Sequence, residues 1–303
     1  MIDLEDDFYY VCKAGNYKVV NALLKRKKHL DLNVGLYAAC EGGHIDLVHL
    51  LIKKGADDWN FALQGACMSG HKYLAKMMIK RGANHLNYGL RSACYGGHKD
   101  LAEMMIRKGA DDWDNGLSGA CESGNVDFVQ WMIDKGANDW DLGLIFACHG
   151  GHKHVVQMMI AKGEEEWRLR GLEKNKFPLK PDNFRFNSIV ETWNEGLDSA
   201  LSRNHTDLAL MMIGKGATHV EHIMGWRRDT ENYKKFILKV LFRLKGKRLT
   251  DLKKRIVNSE FGNYFVNRHG LRCDKKKSTS IFNIGQQFAC KDVATFMVRF
   301  EGV

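Results

Sequence analysis

The sequence predicts an all-α solenoid: stacked short helix–turn–helix units, none of which can bury its apolar face alone. Three observations carry this. Cys40, Cys67, Cys94, Cys121 and Cys148 recur every 27 residues, each directly after an alanine. Gly55, Gly82, Gly109, Gly136 and Gly163 recur with the same period, and a fixed period of this length marks a repeat architecture. The 303 residues include only two prolines, Pro178 and Pro181, so little interrupts a helix elsewhere.

Each part of the unit has a physical role. Trp59, Trp113, Trp140, Trp167 and Trp193 share one register, with Leu86 in the remaining slot, and are expected to pack between units. Asn33, Asn60, Asn87, Asp114, Asp141 and Asn194 precede a leucine by three residues, the place and chemistry of an N-cap. A first helix follows, with Leu36, Ala39 and Cys40 at i, i+3, i+4 forming a buried stripe, its alanine and cysteine small enough for close helix approach. A Gly-Gly-His or Ser-Gly-His turn stops it. The second helix runs through Asp-Leu-x-x-x-Met-Ile-x-Lys, basic in its last turn and followed by glycine, as a helix C-terminus prefers.

The organisation follows from where the unit holds and where it lapses. Residues 1–31 form an amino-terminal capping repeat that begins near Phe8 and turns at Cys12-Lys13-Ala14-Gly15-Asn16. Residues 32–167 are regular repeats, the last ending its second helix at Gly163. Residues 168–192, with Phe177-Pro178-Leu179-Lys180-Pro181, are an insertion that is either an excursion or a decayed unit. Residues 193–217 form a further repeat, and 218–303 a basic, helical carboxy-terminal region in which Glu231–Leu244 and Leu249–Val257 are expected helices and Gln287–Val298 echoes the unit without its Gly-Gly-His turn.

The segments Ala66-Cys67-Met68-Ser69-Gly70-His71 and Met78-Ile79-Lys80-Arg81-Gly82-Ala83-Asn84 resemble an ankyrin repeat, and the resemblance extends over about residues 8–217. It implies a solenoid whose concave, helix-lined face grips other proteins. Two features depart from the family pattern: the Thr-Pro-Leu-His start is absent, and the period is 27 rather than about 33. The missing residues fall where the family projects β-hairpin fingers, so the fingers are expected to be short or absent. The compact Gly-Ala-Asp-Asp-Trp form is similar to arrays abundant in large DNA viruses of amoebae and other protists, which would place it in host cytoplasm or a virion.

Several chemistries find no support. There is no phosphate-binding Gly-x-x-x-x-Gly-Lys-Ser/Thr, no Gly-x-Gly-x-x-Gly after a strand, and no nucleophile–base motif, so no enzyme activity and no cofactor are expected. Asp57-Asp58 and Asp111-Asp112 fall in inter-repeat loops, as solvated cap-and-loop residues. Cys40/His44, Cys67/His71, Cys94/His98 and Cys148/His152 are four apart, but each pair straddles a glycine turn and successive pairs lie about 8–10 Å apart, too far to share a metal at about 2.0–2.3 Å. The cysteines are therefore expected to pack, the histidines to brace turns, and no metal to bind. The amino terminus MIDLEDDFYY lacks a secretory pattern and no apolar run approaches the roughly 18 residues of a membrane span, so an intracellular, cytoplasmic protein is expected.

What varies within the constant frame is the candidate binding surface. The residue after Ala-Cys is Glu41, Met68, Tyr95, Glu122 or His149; one turn earlier come Tyr37, Gln64 and Arg91, followed by Ser118 and Ile145. Spacing i, i+4 puts the two columns on one face of successive first helices, joined by Phe61 and Tyr88 near the helix starts. By the ankyrin resemblance this is the concave face, and its tyrosines, methionine and arginine are interface hot-spot chemistry. The expected function is a protein–protein interaction scaffold. Charge supplies an alternative: residues 217–303 carry 19 Lys/Arg against 8 Asp/Glu, whereas 1–216 are nearly neutral. Lys245, Lys247, Arg248, Lys253, Lys254 and Arg255 could bind nucleic acid, a ribonucleoprotein or an acidic partner. A structural virion or assembly component is a third reading.

Overall fold

The computed structural model describes residues 4–26, 30–169 and 189–217. The chain divides into two compact units, Met1–Leu208 and Ala209–Val303. The described residues form helices α1 (Leu4–Lys13), α2 (Tyr17–Arg26), α3 (Leu32–Gly42), α4 (Ile45–Lys53), α5 (Trp59–Met68), α6 (Lys72–Lys80), α7 (Leu86–Gly96) and α8 (Lys99–Arg107). They continue with α9 (Trp113–Ser123), α10 (Val126–Lys135), α11 (Trp140–Gly150), α12 (Lys153–Leu169), α13 (Ile189–Ser202) and α14 (Thr206–Lys215). No strand occurs among the described residues, so the connections that would bear hairpin fingers are short loops.

Within the first unit, odd-numbered helices stack side by side from α1 to α13, and α1 to α11 each pack on the even-numbered helix that follows. Even helices of neighbouring repeats lie farther apart. Side-chain size explains the difference. The odd helices present Ala39-Cys40, Ala66-Cys67, Ala93-Cys94 and Ala120-Cys121 to one another, all fully buried, while the even helices bury larger residues such as Leu47, Leu51, Leu74 and Met78. The odd helices therefore form the more closely packed layer of the array.

The turn between paired helices forms as its glycines suggest. Gly43, Gly97, Gly124 and Gly151 terminate their helices at φ between +74° and +82°, a region that costs a glycine little. The histidine that follows stands at the N-cap of the next helix but does not cap it. Its ring reaches back one repeat instead. His44 Nε2 lies 2.9 Å from the Lys13 carbonyl, and His71 Nε2 3.1 Å from that of Glu41. Each ring covers the preceding turn's glycine so tightly that a Cβ on Gly15, Gly43, Gly70, Gly124 or Gly151 would meet it. The asparagines in this column, Asn16 and Asn125, cap locally instead, accepting from the Val19 and Phe128 amides.

The N-caps differ from the sequence expectation by two residues. Asp31, Asp58, Asp112 and Asp139 cap α3, α5, α9 and α11, accepting from amides two or three residues ahead. Of the residues expected to cap, Asn33, Asn60, Asn87 and Asp114 sit inside the first turn and reach the next repeat, whereas Asn194 lies in the second turn of α13. Asn33 Oδ1 accepts from the amides of Asp57 and Asp58 at 2.9 and 3.0 Å, and Asn60 from Asn84 and His85 at 2.8 and 2.9 Å. Asn87 holds Asp111 and Asp112 at 2.9 and 3.2 Å; Asp114 holds Asn138 and Asp139 at 2.7 and 2.8 Å. One carbonyl-type oxygen thus ties two otherwise orphaned amides per joint.

Helix α7 lacks an aspartate cap: His85 holds the position without a side-chain cap bond. His85→Asp is expected to raise stability by about 0.5–1 kcal/mol, seen as a higher urea midpoint with an unchanged slope.

Two further features concern the tryptophans and Gly163. Trp59, Trp113 and Trp140 lie beside Gly82, Gly136 and Gly163 of their own repeats. Trp140 Nε1 donates to Glu166 at 2.6 Å. Trp140 also meets the next repeat, since it lines one small cavity together with Leu144, Met159 and Trp193. The Trp167 side chain lies outside the described residues. Gly163 does not end its helix, which continues to Leu169. Elsewhere Gly-Ala follows, with Ala56, Ala83, Ala110 and Ala137 buried, whereas Glu164-Glu165-Glu166 here are good helix formers. Helix α13 then stacks directly on α11, and His205 Nε2 reaches the His149 carbonyl at 3.1 Å as the earlier histidines do. Residues 170–188, between α12 and α13, lie outside the described residues.

Candidate functional site

The ten residues of the variable columns fall into three groups along the layer of odd helices. At the amino-terminal end, Glu41 is only 8% exposed and takes hydrogen bonds from the Tyr9 hydroxyl and from Lys13 Nζ, the latter at 2.7 Å. The Glu41 hydrogen bond holds the Lys13 ammonium above its ordinary range. Burial, then the bond to Glu41, raises the Tyr9 phenol likewise. Tyr9 stacks on Tyr37 at 6.3 Å and Tyr37 on Phe61 at 4.2 Å, a three-ring ladder crossing three repeats. Burial and then the Glu41 charge push the Tyr37 phenol far above its usual value, so it stays neutral.

At the other end the contacts are ionic. Arg91 Nη2 donates to Glu122 at 2.8 Å while its guanidinium lies 4.4 Å from the centre of the Phe146 ring. The second Glu122 oxygen is 3.1 Å from His149 Nδ1, and Arg203 Nε donates to His149 Nε2 at 2.8 Å. Because Nε2 accepts, the ring proton of a neutral His149 sits on Nδ1 and is donated to Glu122. The chain Arg91–Glu122–His149–Arg203 links α7, α9 and α11 to the residue that follows α13.

Between these ladders the face is open. Gln64 and Met68 are half-buried, and Tyr88 and Tyr95 are 49% and 41% exposed. The structure therefore divides the sequence-derived set. Tyr37, Glu41 and Phe61 belong to one internal ladder and Arg91, Glu122 and His149 to the other, while Gln64, Met68, Tyr88 and Tyr95 face solvent between them. Tyr9, Lys13, Phe146 and Arg203 were not expected. The column spacing already contained two of them: Lys13 follows Cys12 as Glu41 follows Cys40, and Tyr9 stands one turn earlier, as Tyr37 does. Lys245, Lys247, Arg248, Lys253, Lys254 and Arg255 lie outside the described residues.

The thiols and imidazoles are used in packing. Burial pushes Cys12, Cys40, Cys67, Cys94, Cys121 and Cys148 up to about 12, so thiolate is negligible at neutral pH. Desolvation lowers His152. Among the described residues no three His, Cys, Asp or Glu side chains are grouped to hold a metal, and no helix is long and apolar enough to cross a membrane.

Comparison with known proteins agrees with this geometry. Family models described as ankyrin repeats match residues 8–88, 36–116 and 117–160, together half of the chain. Among solved structures, the chain is similar to the ankyrin repeat domain of human ASB11, at 20% identity and a TM-score of 0.35, over 61% of this chain and 90% of that one. No curated protein matches the chain.

Proposed function

Given that the chain belongs to the ankyrin-repeat family, we propose that it is a non-enzymatic scaffold that binds a partner protein through the concave face of its first unit, centred on Met68, Tyr88 and Tyr95. The supporting observation is the division of that face. Its two ends are closed on themselves by ring stacking and ion pairs, and the large side chains left open are collected between them. The ladders hold the odd helices in register, so a partner meets a preformed surface and loses less to ordering.

Met68→Ala, Tyr88→Ala and Tyr95→Ala combined should reduce partner binding by at least about tenfold while leaving the helical circular-dichroism signal unchanged, since truncating interface anchors typically costs 1 kcal/mol or more each. Arg91 is left intact, because removing it would strand Glu122 and confuse binding with folding. If every partner captured by the native chain stays bound to the triple variant, the assigned face is wrong.

A further inference from the structure

The open face sits within a separation of charge between the two helical layers. Between residues 30 and 163, the segments holding the loops and odd helices are 30–42, 56–69, 83–96, 110–123 and 137–150; they contain ten carboxylates and one cationic side chain, Arg91. The segments holding the turns and even helices are 43–55, 70–82, 97–109, 124–136 and 151–163; they contain twelve Lys/Arg and five carboxylates. Neither number is required by the fold, which fixes only the apolar and turn positions.

Local pairing does not cancel the acidic layer. Glu41 and Glu122 are matched by Lys13 and Arg91, whereas Asp57, Asp58, Asp111 and Asp112 form no ion pair among the described residues. The helix N-termini that Asp58 and Asp112 cap contribute only about half a positive charge each. Asp57, Asp58, Asp111 and Asp112 are exposed and flank the aromatic stretch. Asp58 Oδ1 accepts from the Phe61 amide at 2.9 Å, and Asp111 Oδ1 lies 3.3 Å from Asn87 Nδ2, on the residue next to Tyr88.

We propose, resting on the reading of this face as a protein-binding surface, that its occupant is a basic segment of a partner: an extended, Arg/Lys-rich peptide whose cations stack on Tyr88 and Tyr95 and pair with Asp57-Asp58 and Asp111-Asp112. An aromatic face beside carboxylates is complementary to guanidinium groups, which bind both. The two acidic pairs are two repeats apart, about 16–20 Å at ordinary helix spacing, which an extended strand covers in about six residues. The preferred peptide therefore carries two basic pairs about six residues apart.

The test uses the full chain and three labelled synthetic peptides, read by fluorescence anisotropy. One has two Arg-Arg pairs six residues apart in a Gly-Ser background, one has the pairs adjacent, and one has Glu in place of Arg. The spaced basic peptide should bind most tightly, and its affinity should fall steeply between low and moderate salt. Asp57→Asn, Asp58→Asn, Asp111→Asn and Asp112→Asn together remove four charges yet keep the caps, because Asn caps a helix as well as Asp. This variant should lose at least about tenfold in affinity, at an unchanged unfolding midpoint. Equal binding by the quadruple variant, or equal binding of the Glu peptide, overturns the proposal. A display selection for uncharged peptides on the same chain separates the two readings. If uncharged binders that need Tyr88 and Tyr95 emerge while basic peptides fail, the face binds protein but not by charge. If no peptide of either kind needs Tyr88 and Tyr95, the face itself is misassigned.

Discussion

Replacing Gly119 with alanine is expected to destabilise the first unit by about 3 kcal/mol, the upper end of what overpacking by one methyl costs. A Cβ built on Gly119 would sit 2.2 Å from the Arg91 carbonyl oxygen and 3.0 Å from its carbonyl carbon. Both atoms belong to the backbone of α7, so no rotamer change relieves the contact, and α9 must move away from α7. That movement would also strain the 2.8 Å Arg91–Glu122 ion pair on the same two helices, so the loss extends to the carboxy-terminal ladder of the binding face. Gly65 meets the Tyr37 carbonyl at 2.6 Å and should behave similarly. Gly214 is the control. It is also helical, but nothing lies within 4 Å of its added Cβ, and there alanine should be neutral or favourable by up to about 1 kcal/mol. Urea unfolding of the two variants beside the native chain distinguishes them. Equal midpoints for Gly119→Ala and the native chain would mean that helix spacing is not fixed by these glycines.

The fold was legible because its signals are local and repeated. Ala-Cys, the glycine turn and the basic helix end each demand one conformation, and five copies agree on it. What misled was chemistry that serves two purposes. Asn33, Asn60, Asn87 and Asp114 have the composition and neighbourhood of caps, yet the N-cap position lies two residues earlier, at Asp31, Asp58, His85 and Asp112. Periodicity shows that a residue is used in every repeat, but not whether its partner is in the same repeat or the next. Gly163 was misleading for the opposite reason, since its register matches the terminating glycines and only the three glutamates after it show that the helix continues. The column spacing placed the variable residues on one face of the odd helices but did not show their engagement with each other. Arg91 and Glu122 are 31 positions apart, and their pairing depends on how closely α7 and α9 approach. That approach in turn depends on Gly119, so the availability of a surface arginine is decided by a buried glycine.

The same distinction between local and inter-repeat bonding sets the second large effect. Asn87→Ala is expected to cost about 2 kcal/mol, because the amides of Asp111 and Asp112 lose their shared acceptor, at about 1 kcal/mol for each hydrogen bond. If Asn87 were an N-cap, replacement by aspartate or serine would be tolerated alike. As a tie between repeats it has a stricter requirement: an acceptor oxygen at the reach of an Asn or Asp side chain. The array contains that substitution already, since Asp114 accepts from Asn138 and Asp139 at 2.7 and 2.8 Å. Asn87→Asp should therefore retain most of the stability that Asn87→Ala loses, whereas Asn87→Ser, one atom shorter, should resemble alanine. The amide signals should give the mechanism directly: in Asn87→Ala, hydrogen exchange at Asp111 and Asp112 accelerates while the amides capped by Asp112 within α9 keep their protection. Faster exchange confined to the first turn of α7 instead would return Asn87 to the role of a cap. Loss of the tie also loosens the loop that carries Asp111 and Asp112 beside Tyr88, so Asn87→Ala should weaken binding of the spaced basic peptide although Asn87 itself carries no charge.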